Sequence, residues 1–315
     1  MKILFLDTGF DKTSETFRKQ RSSVKDCNNV CLYKKAEKSL LDKIIMALGI
    51  YLFPPLLLFA YGSWKKELDN YDLFIIPSRR PAKYAAKYIK KKTGKRVIVW
   101  YWNLVTDKEI PPDYCKKIGC EPWTFDRKDS EKYNMSFGDT YYFPGFVDNT
   151  TPFSVKNDVF YVGINRPGRE EFLNDLETYL KKHDMTCRIN LAAIPTDSKK
   201  VREKYTGRMT YEEIINAIRE TRAILDLNRE DQTGLTLRPL EALFFKRKLV
   251  TNNAHIKNYM VYNPENVFVV SDNDFTGLED FLKRPYVPAG NEEEIVRRYT
   301  FSGWLGRIVN EEEAD

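Results

Sequence analysis

The sequence predicts an α/β protein of two doubly wound domains that face each other across a cleft. Three observations carry that prediction. Apolar runs of strand length alternate with amphipathic helical stretches along the chain, the pattern of βαβ units on a parallel sheet. The alternation breaks at a polar, unperiodic stretch, "FVDNTTPFSVKND" (146–158), and then restarts. The length, 315 residues, suffices for two domains of ordinary size, read here as 1–150 and 151–315.

The first half reads as strands at 2–7, 29–33, 72–77, 96–101 and 120–125, with a further candidate at 140–143. Between them, "RPAKYAAKYIKKKTG" (80–94) is a helix closed by a glycine. The segment "IIMALGIYLFPPLLLFAYGSW" (44–64) carries no charge over 21 residues, the length of a membrane span. Three features argue against a simple crossing. Pro54-Pro55 would break a helix at its centre, lysines flank both ends, and strands of one sheet lie before and after. A helical hairpin, buried or docked on a surface, is expected, with membrane contact through Ile44–Trp64 allowed within that reading.

The second half opens with strand "VFYVGIN" (159–165), helix "GREEFLNDLETYLKKH" (168–183) and strand "CRINLAAI" (187–194). Thr210 is a good N-cap for the amphipathic helix "TYEEIINAIRETR" (210–222). Strand "AILDLN" (223–228), a loop and helix, and strand "KLVTNN" (248–253) form the next βαβ unit. Strand "NVFVV" (266–270), a helix at 274–284 and a last helix around 291–309 complete the chain, the last one expected to pack back on the first domain.

Composition narrows the function classes. With 42% hydrophobic and 30% charged residues the chain can bury proper cores and present a charged surface. The net charge of +6 is modest and interspersed with acids, which argues against a nucleic-acid surface and is compatible with anionic membrane or phosphorylated ligands. Five cysteines without a CxxC pair and only two histidines leave no zinc constellation, so free thiols in a reducing cytoplasm are expected. The opening "MKILFLD" is too short for a signal-peptide core and reads as a first strand.

No GxGxxG follows a strand, and there is no Walker loop, GxSxG or HExxH. "SDND" (271–274) holds a DxD, a pattern that binds a divalent ion in some nucleotide-sugar enzymes; Asp272 and Asp274 serve equally as a turn and helix cap. The loop Gln232-Thr233-Gly234-Leu235-Thr236 is more informative. It leaves the carboxyl end of a buried strand, where open α/β sheets bind ligands, and it opens a helix whose free N–H groups suit phosphate. Gly234 lets backbone approach a ligand, and Thr233 and Thr236 add hydroxyls. Glu241 follows one and a half turns on, in an apolar helix. It could accept both hydroxyls of a ribose, face solvent, or cap a neighbouring element.

"TGLTLRPLEALFFKRKLVTNN", with Gly234, then Glu241-Ala242, then Leu249-Val250-Thr251, resembles the donor-binding half of GT-B glycosyltransferases. The longer run from "LDLNREDQTG" to "VYNPENVFVV" is similar to small bacterial glycosyltransferases of capsule and lipopolysaccharide synthesis. "EPWTFDRKDSEKYN" (121–134) resembles a stretch of their first domain. The resemblance implies two Rossmann-like domains, a nucleotide-sugar donor, Glu241 at the ribose and the backbone at Gly234–Thr236 on the diphosphate. One position departs: the commoner pattern has an acid seven residues before the glutamate, where this chain has Gly234, which leaves Gln232 or Asp231 as substitutes.

Further candidates follow from that fold. "GINRPGR" (163–169) leaves the first strand of the second domain, so Gly163 and Asn165 are donor-binding candidates. Arg166 and Arg169 could neutralise a leaving diphosphate, or simply begin a helix at the surface. Arg229 and Arg238 have the same double reading. Asp7 ends the first strand and could act as general base or close a turn. "WYWN" (100–103) could stack on a sugar or fill the core. The expectation is transfer of a sugar from a nucleotide diphosphate to an acceptor hydroxyl, on a lipid-linked saccharide, without metal or other cofactor. The alternatives are a metal-dependent transferase using Asp272 and Asp274, and a non-catalytic nucleotide- or glycan-binding subunit.

Overall fold

The computed structural model describes residues 1–9, 11–34, 40–147, 154–193, 205 and 207–311. The chain divides into two units, Met1–Asp139 with Gly306–Ala314, and Thr140–Leu305.

The first unit is built on β1 (Ile3–Asp7), β2 (Cys27–Cys31), β3 (Leu73–Pro77), β4 (Arg96–Tyr101), β5 (Glu121–Thr124) and β6 (Ser136–Phe137). All pairs are parallel and the order is β2-β1-β3-β4-β5-β6. The central strands are buried on both faces, which explains why "ILFL", "LFII" and "VIVWY" are continuous apolar runs with no alternation. The helices are α1 (Lys12–Ser22), α2 (Leu40–Tyr51), α3 (Leu57–Ala60), α4 (Lys83–Thr93), α5 (Pro112–Lys117) and α6 (Arg127–Tyr133). Helix α4 buries Ala85, Ala86 and Ile89 and ends at Gly94, whose φ of +67° is the left-handed geometry that a glycine adopts without a steric penalty. Asp126 caps α6 by accepting from Asp129 N at 3.1 Å.

The uncharged segment folds as a hairpin. Helix α2 stops where Leu52 N and Phe53 N both reach Leu48 O, and Pro54–Leu56 forms a single 3-10 turn into α3. A Cβ on Gly49 would sit 2.7 Å from Leu57 Cδ2, so the glycine sets how closely the two arms approach. Met46, Leu57, Tyr61 and Trp64 are buried in the core of this unit, and Trp64 Nε1 donates to Leu32 O at 2.9 Å. The other side is open: Tyr51 is 72% exposed, Leu52 75% and Phe59 75%. Among the described residues no helix is long and apolar enough to cross a membrane.

The second unit carries β7 (Asn157–Ile164), β8 (Cys187–Ala192), β9 (Thr221–Asp226), β10 (Lys248–Thr251) and β11 (Val267–Val269), parallel and ordered β11-β10-β9-β7-β8. Its helices are α7 (Arg169–Lys182), α8 (Tyr211–Arg219), α9 (Leu237–Phe244), α10 (Leu278–Lys283), α11 (Glu292–Tyr299) and α12 (Phe301–Asn310), of which the end of α12 counts with the first unit. Thr210 and Glu213 form a reciprocal capping box at the start of α8. In the first unit Arg96 donates to Ile308 O and Val309 O, which holds the end of α12.

Two expectations are corrected. Residues 140–143 are not a sheet strand; Tyr142 only bridges Thr300, and Tyr141 and Tyr142 are fully buried among Phe143, Phe146, Phe244 and Trp304. The aromatic run that reads as a strand is a core insert. The last helix is two helices, because Thr300 is extended (ψ 154°) and its hydroxyl accepts from Gly303 N at 3.0 Å, restarting the turn. Of the linker stretch 146–158, residues 148–153 lie outside those described, as do 194–204 after β8.

Candidate functional site

Each sheet reverses its strand order once, between β1 and β3 and between β7 and β9. At such a switch point the connections leave in opposite directions and open a crevice at the carboxyl ends of the strands. In the second unit the residues leaving those ends are Asn165-Arg166 after β7 and Asn228-Arg229 after β9.

Arg169 holds this crevice together. Its guanidinium donates to Ile164 O at 2.8 Å and Leu227 O at 2.5 Å, joining the ends of β7 and β9. It is thus a positioning group, with two of its donors committed to backbone. Gly163 serves the same join: a Cβ there would lie 2.2 Å from the Tyr161 hydroxyl. Arg166 is exposed and makes no side-chain hydrogen bond or ion pair among the described residues. Partial burial and then the neighbouring charges of Arg169 and Arg229 hold its pKa below the usual guanidinium value. Arg229 pairs with Asp231 at 2.5 Å. Three cations therefore gather at one switch point. Beside them Asn165 Oδ1 and Asn228 Oδ1 are buried and unpartnered among the described residues. Buried polar atoms are nearly always paired, so these acceptors fit a ligand that brings its own donors.

The loop of residues 232–236 is held from three sides. Gly234 O accepts from Asn228 Nδ2 at 3.3 Å and Gln232 Nε2 at 3.2 Å, and Thr233 O accepts from the Tyr259 hydroxyl at 3.3 Å. Leu235 is buried. Asn228 N donates to Asn252 Oδ1 at 2.7 Å and Asn228 O accepts from Asn252 Nδ2 at 3.2 Å, tying the ends of β9 and β10. The Thr236 hydroxyl accepts from Arg238 N as the cap of α9 and donates to Asp226 Oδ1 at 2.8 Å. Asp226 also accepts from Thr251 Oγ1 at 3.3 Å. Burial raises its pKa from 3.8 to about 6 against the opposing pull of Thr236, Arg238, Thr251 and Arg169.

Glu241, read from the sequence as a ribose contact, a solvent-facing group or a cap, is fully buried, with an exposure of 0%. Oε2 is ion-paired with Arg238, one helical turn back, and Oε1 lies 2.9 Å from the Tyr211 hydroxyl, itself 2.7 Å from the Tyr142 hydroxyl. A carboxylate only accepts, so Tyr211 donates to Glu241 and Tyr142 donates onward to Tyr211. Desolvation and the Glu241 charge both push the Tyr142 and Tyr211 hydroxyls well above the usual tyrosine pKa, so they remain donors. Glu241 thus fixes α9 against α8 and the aromatic insert, and its apolar neighbours on the helix reflect that burial.

In the first unit Asp7 closes a turn. It accepts from Gly9 N at 3.2 Å, pairs with Arg18 at 2.6 Å and lies 3.7 Å from Arg21. Desolvation nonetheless raises its pKa, against both arginines. At the end of β3, Ser78 donates to Glu109 Oε2 at 2.6 Å and Arg79 pairs with Oε1 at 3.1 Å, with Glu109 1% exposed. In the sequence Glu109 reads as one more loop acid. Trp100 and Tyr101 are core residues and Trp102 is half-buried. In "SDND", Asp272 and Asn273 adopt left-handed turn geometry (φ 53° and 55°), and Asp274 accepts from Thr276 N and Oγ1 at 2.9 and 2.6 Å. Among the described residues no group of three or more His, Cys, Asp or Glu side chains could hold a metal ion.

No protein-family model and no curated protein sequence matches the chain. Solved structures do. The chain is similar to the apo form of the lipopolysaccharide outer core galactosyltransferase WaaB, at 15% identity over 98% of both chains, with a TM-score of 0.53. It is similar to AviGT4, a glycosyltransferase of avilamycin A biosynthesis, at 11% identity over 99% of this chain and 96% of that one, TM-score 0.57. It is also similar to S. aureus MnaA with UDP, at 10% identity over 98% and 95%, TM-score 0.54. The fold is GT-B, with two Rossmann-like domains.

The site residues that sequence reasoning missed are Asp226, Asn228, Asn252, Tyr211 and Tyr142. Asp226 carried a signal, a lone carboxylate in the apolar strand "AILDLN".

Proposed function

We propose that this chain is a glycosyltransferase that moves a sugar from a nucleotide-diphosphate donor to an acceptor hydroxyl. The observation that carries it is the convergence of Arg166 and Arg229 with the amide carbonyls of Asn165 and Asn228, unpartnered among the described residues, at the second unit's switch point. Cations meet anionic oxygens and amide carbonyls meet hydroxyls, which together describe a diphosphate joined to a sugar or ribose. The names of structures sharing the fold, a galactosyltransferase, a glycosyltransferase and a protein solved with UDP, support the same reading.

In this reading Arg166 and Arg229 stabilise the departing diphosphate, aided by the positive end of the α9 dipole, and no metal is required. Arg169, Gly163 and Asp226 position the loops. Glu241 acts at one remove, holding α9 in place. Asp7, with its raised pKa, is the carboxylate assigned to deprotonate the acceptor. The acceptor is a lipid-linked saccharide of surface polysaccharide synthesis, reached at the inner face of a bacterial membrane; the exposed Tyr51, Leu52 and Phe59 of the hairpin support that part.

A thermal-shift screen of the full chain against nucleoside diphosphates and nucleotide sugars tests the reading. One nucleoside diphosphate and its sugar should raise the melting temperature, and the same sugar should then appear on an added acceptor. Absence of any shift at saturating concentrations would reject it.

A further inference from the structure

A cavity of about 960 Å³ lies within the first unit, between the hairpin and α4. Its two walls differ in chemistry. The hairpin wall is apolar, formed by Ile50, Pro54, Pro55, Leu57 and Leu58. The other wall is cationic: Arg80, Lys83, Lys87, Lys91 and Lys92 line it, with Tyr84, Tyr88 and Tyr114 between them. Arg80, Lys83, Lys87 and Lys91 recur at helical spacing, opposite the buried Ala85, Ala86 and Ile89. Among the described residues no Asp, Glu, Asn, Gln, Ser or Thr lines the cavity. Lys83 Nζ sits 4.1 Å over the Tyr114 ring, while Lys87, Lys91 and Lys92 have no hydrogen bond or ion pair among the described residues. In the turn between the lining residues Tyr51 and Pro54, Leu52 is 75% exposed and Phe53 59%.

We propose that this cavity binds an anionic lipid presented by a membrane surface, with a phosphate head on the lysines of α4 and the start of its chain against the hairpin. Lys87, Lys91 and Lys92, with no ion pair and no carboxylate beside them among the described residues, leave net positive charge for a phosphate to neutralise. The apolar wall and the exposed Leu52 and Phe53 favour a hydrocarbon chain. A saccharide would be met by amide and carboxylate groups, which the lining lacks. The volume is that of a small-molecule site. The proposal deepens the transfer reading, on which its role as the seat of a phosphate-bearing lipid acceptor rests; the binding itself does not depend on transfer.

The test is calorimetry of the full chain with monomeric octyl phosphate, octanol and inorganic phosphate, and then flotation on phosphatidylcholine vesicles with and without phosphatidylglycerol. Octyl phosphate should bind, and each half-ligand should bind on the order of tenfold more weakly or worse. Lys87→Gln/Lys91→Gln, two exposed residues outside the folding core, should weaken octyl phosphate by about thirtyfold. Wild type should float only with phosphatidylglycerol, and the double variant should stay in solution. The proposal is overturned if octyl phosphate binds no tighter than its halves, if the double variant binds like wild type, or if a soluble sulfated oligosaccharide binds more tightly. Nucleoside-diphosphate titration of the same preparation separates the two readings. Diphosphate binding without octyl phosphate binding removes the lipid site alone, and the reverse removes the transfer reading and leaves the site standing.

Discussion

Glu241 is a carboxylate at 0% exposure whose charge is balanced by Arg238, 18% exposed. Removing one member of such a pair leaves the other's charge uncompensated, which costs about 3–5 kcal/mol. Glu241→Ala should therefore lose stability on that scale in urea unfolding, with any loss of nucleotide affinity following from a displaced α9. Unchanged stability with lost affinity would return Glu241 to direct contact with the ribose. Asp226 supplies a second residue-scale prediction, with a sign. Its folded pKa is raised from 3.8 to about 6, so within that window the folded chain keeps a proton that the unfolded chain has released. Its contribution to stability thus falls as pH rises through the window, by on the order of 3 kcal/mol. Asp226→Asn should abolish that fall, seen as a urea midpoint that changes less than wild type's between the two ends of the window. Parallel profiles for both proteins would count against the buried, neutralised carboxylate.

At the scale of elements, legibility follows locality. Helix α4, its glycine stop and the Thr210 capping box are set by neighbours within four residues, and all are visible in the sequence. The hairpin was legible too, because Pro54-Pro55 excludes one continuous helix and permits a turn. The failures are contacts across long separations. "DTYYFP" has strand composition, but Tyr142 is claimed by Tyr211 and Phe244, which no spacing reveals. The stretch 291–309 keeps an amphipathic period across Thr300, and only the extended backbone there shows that the threonine caps a new helix. For the candidate site, the loop's position at a strand's carboxyl end was legible, whereas the hydroxyl of Thr236 and the carboxylate of Glu241 were not assignable. Two of their partners, Asp226 on β9 and Tyr211 on α8, come from other elements. The amphiphilic cavity was equally hidden, since its walls are 22 or more residues apart in the chain.

On the scale of the whole molecule, the two units share one strand order, so each sheet has one switch point and the chain has two places built to receive a ligand. They are dressed differently. The first holds carboxylates, Asp7 and Glu109, each answered by an arginine. The second holds arginines, and Arg166 makes no side-chain hydrogen bond or ion pair among the described residues. On the proposed transfer reading, that asymmetry gives the anionic donor to the second unit, with Arg166 as its contact. The direct measurement is calorimetric titration of the full chain with nucleoside diphosphates in the presence of a chelator, beside Arg166→Ala. Arg166 is exposed and has no ion pair among the described residues, so its loss should leave unfolding unchanged. One diphosphate should bind wild type without metal, and Arg166→Ala should bind it about 10- to 150-fold more weakly, the worth of one charged hydrogen bond. Equal affinity for both proteins, or binding that returns only when manganese is added, would contradict the account.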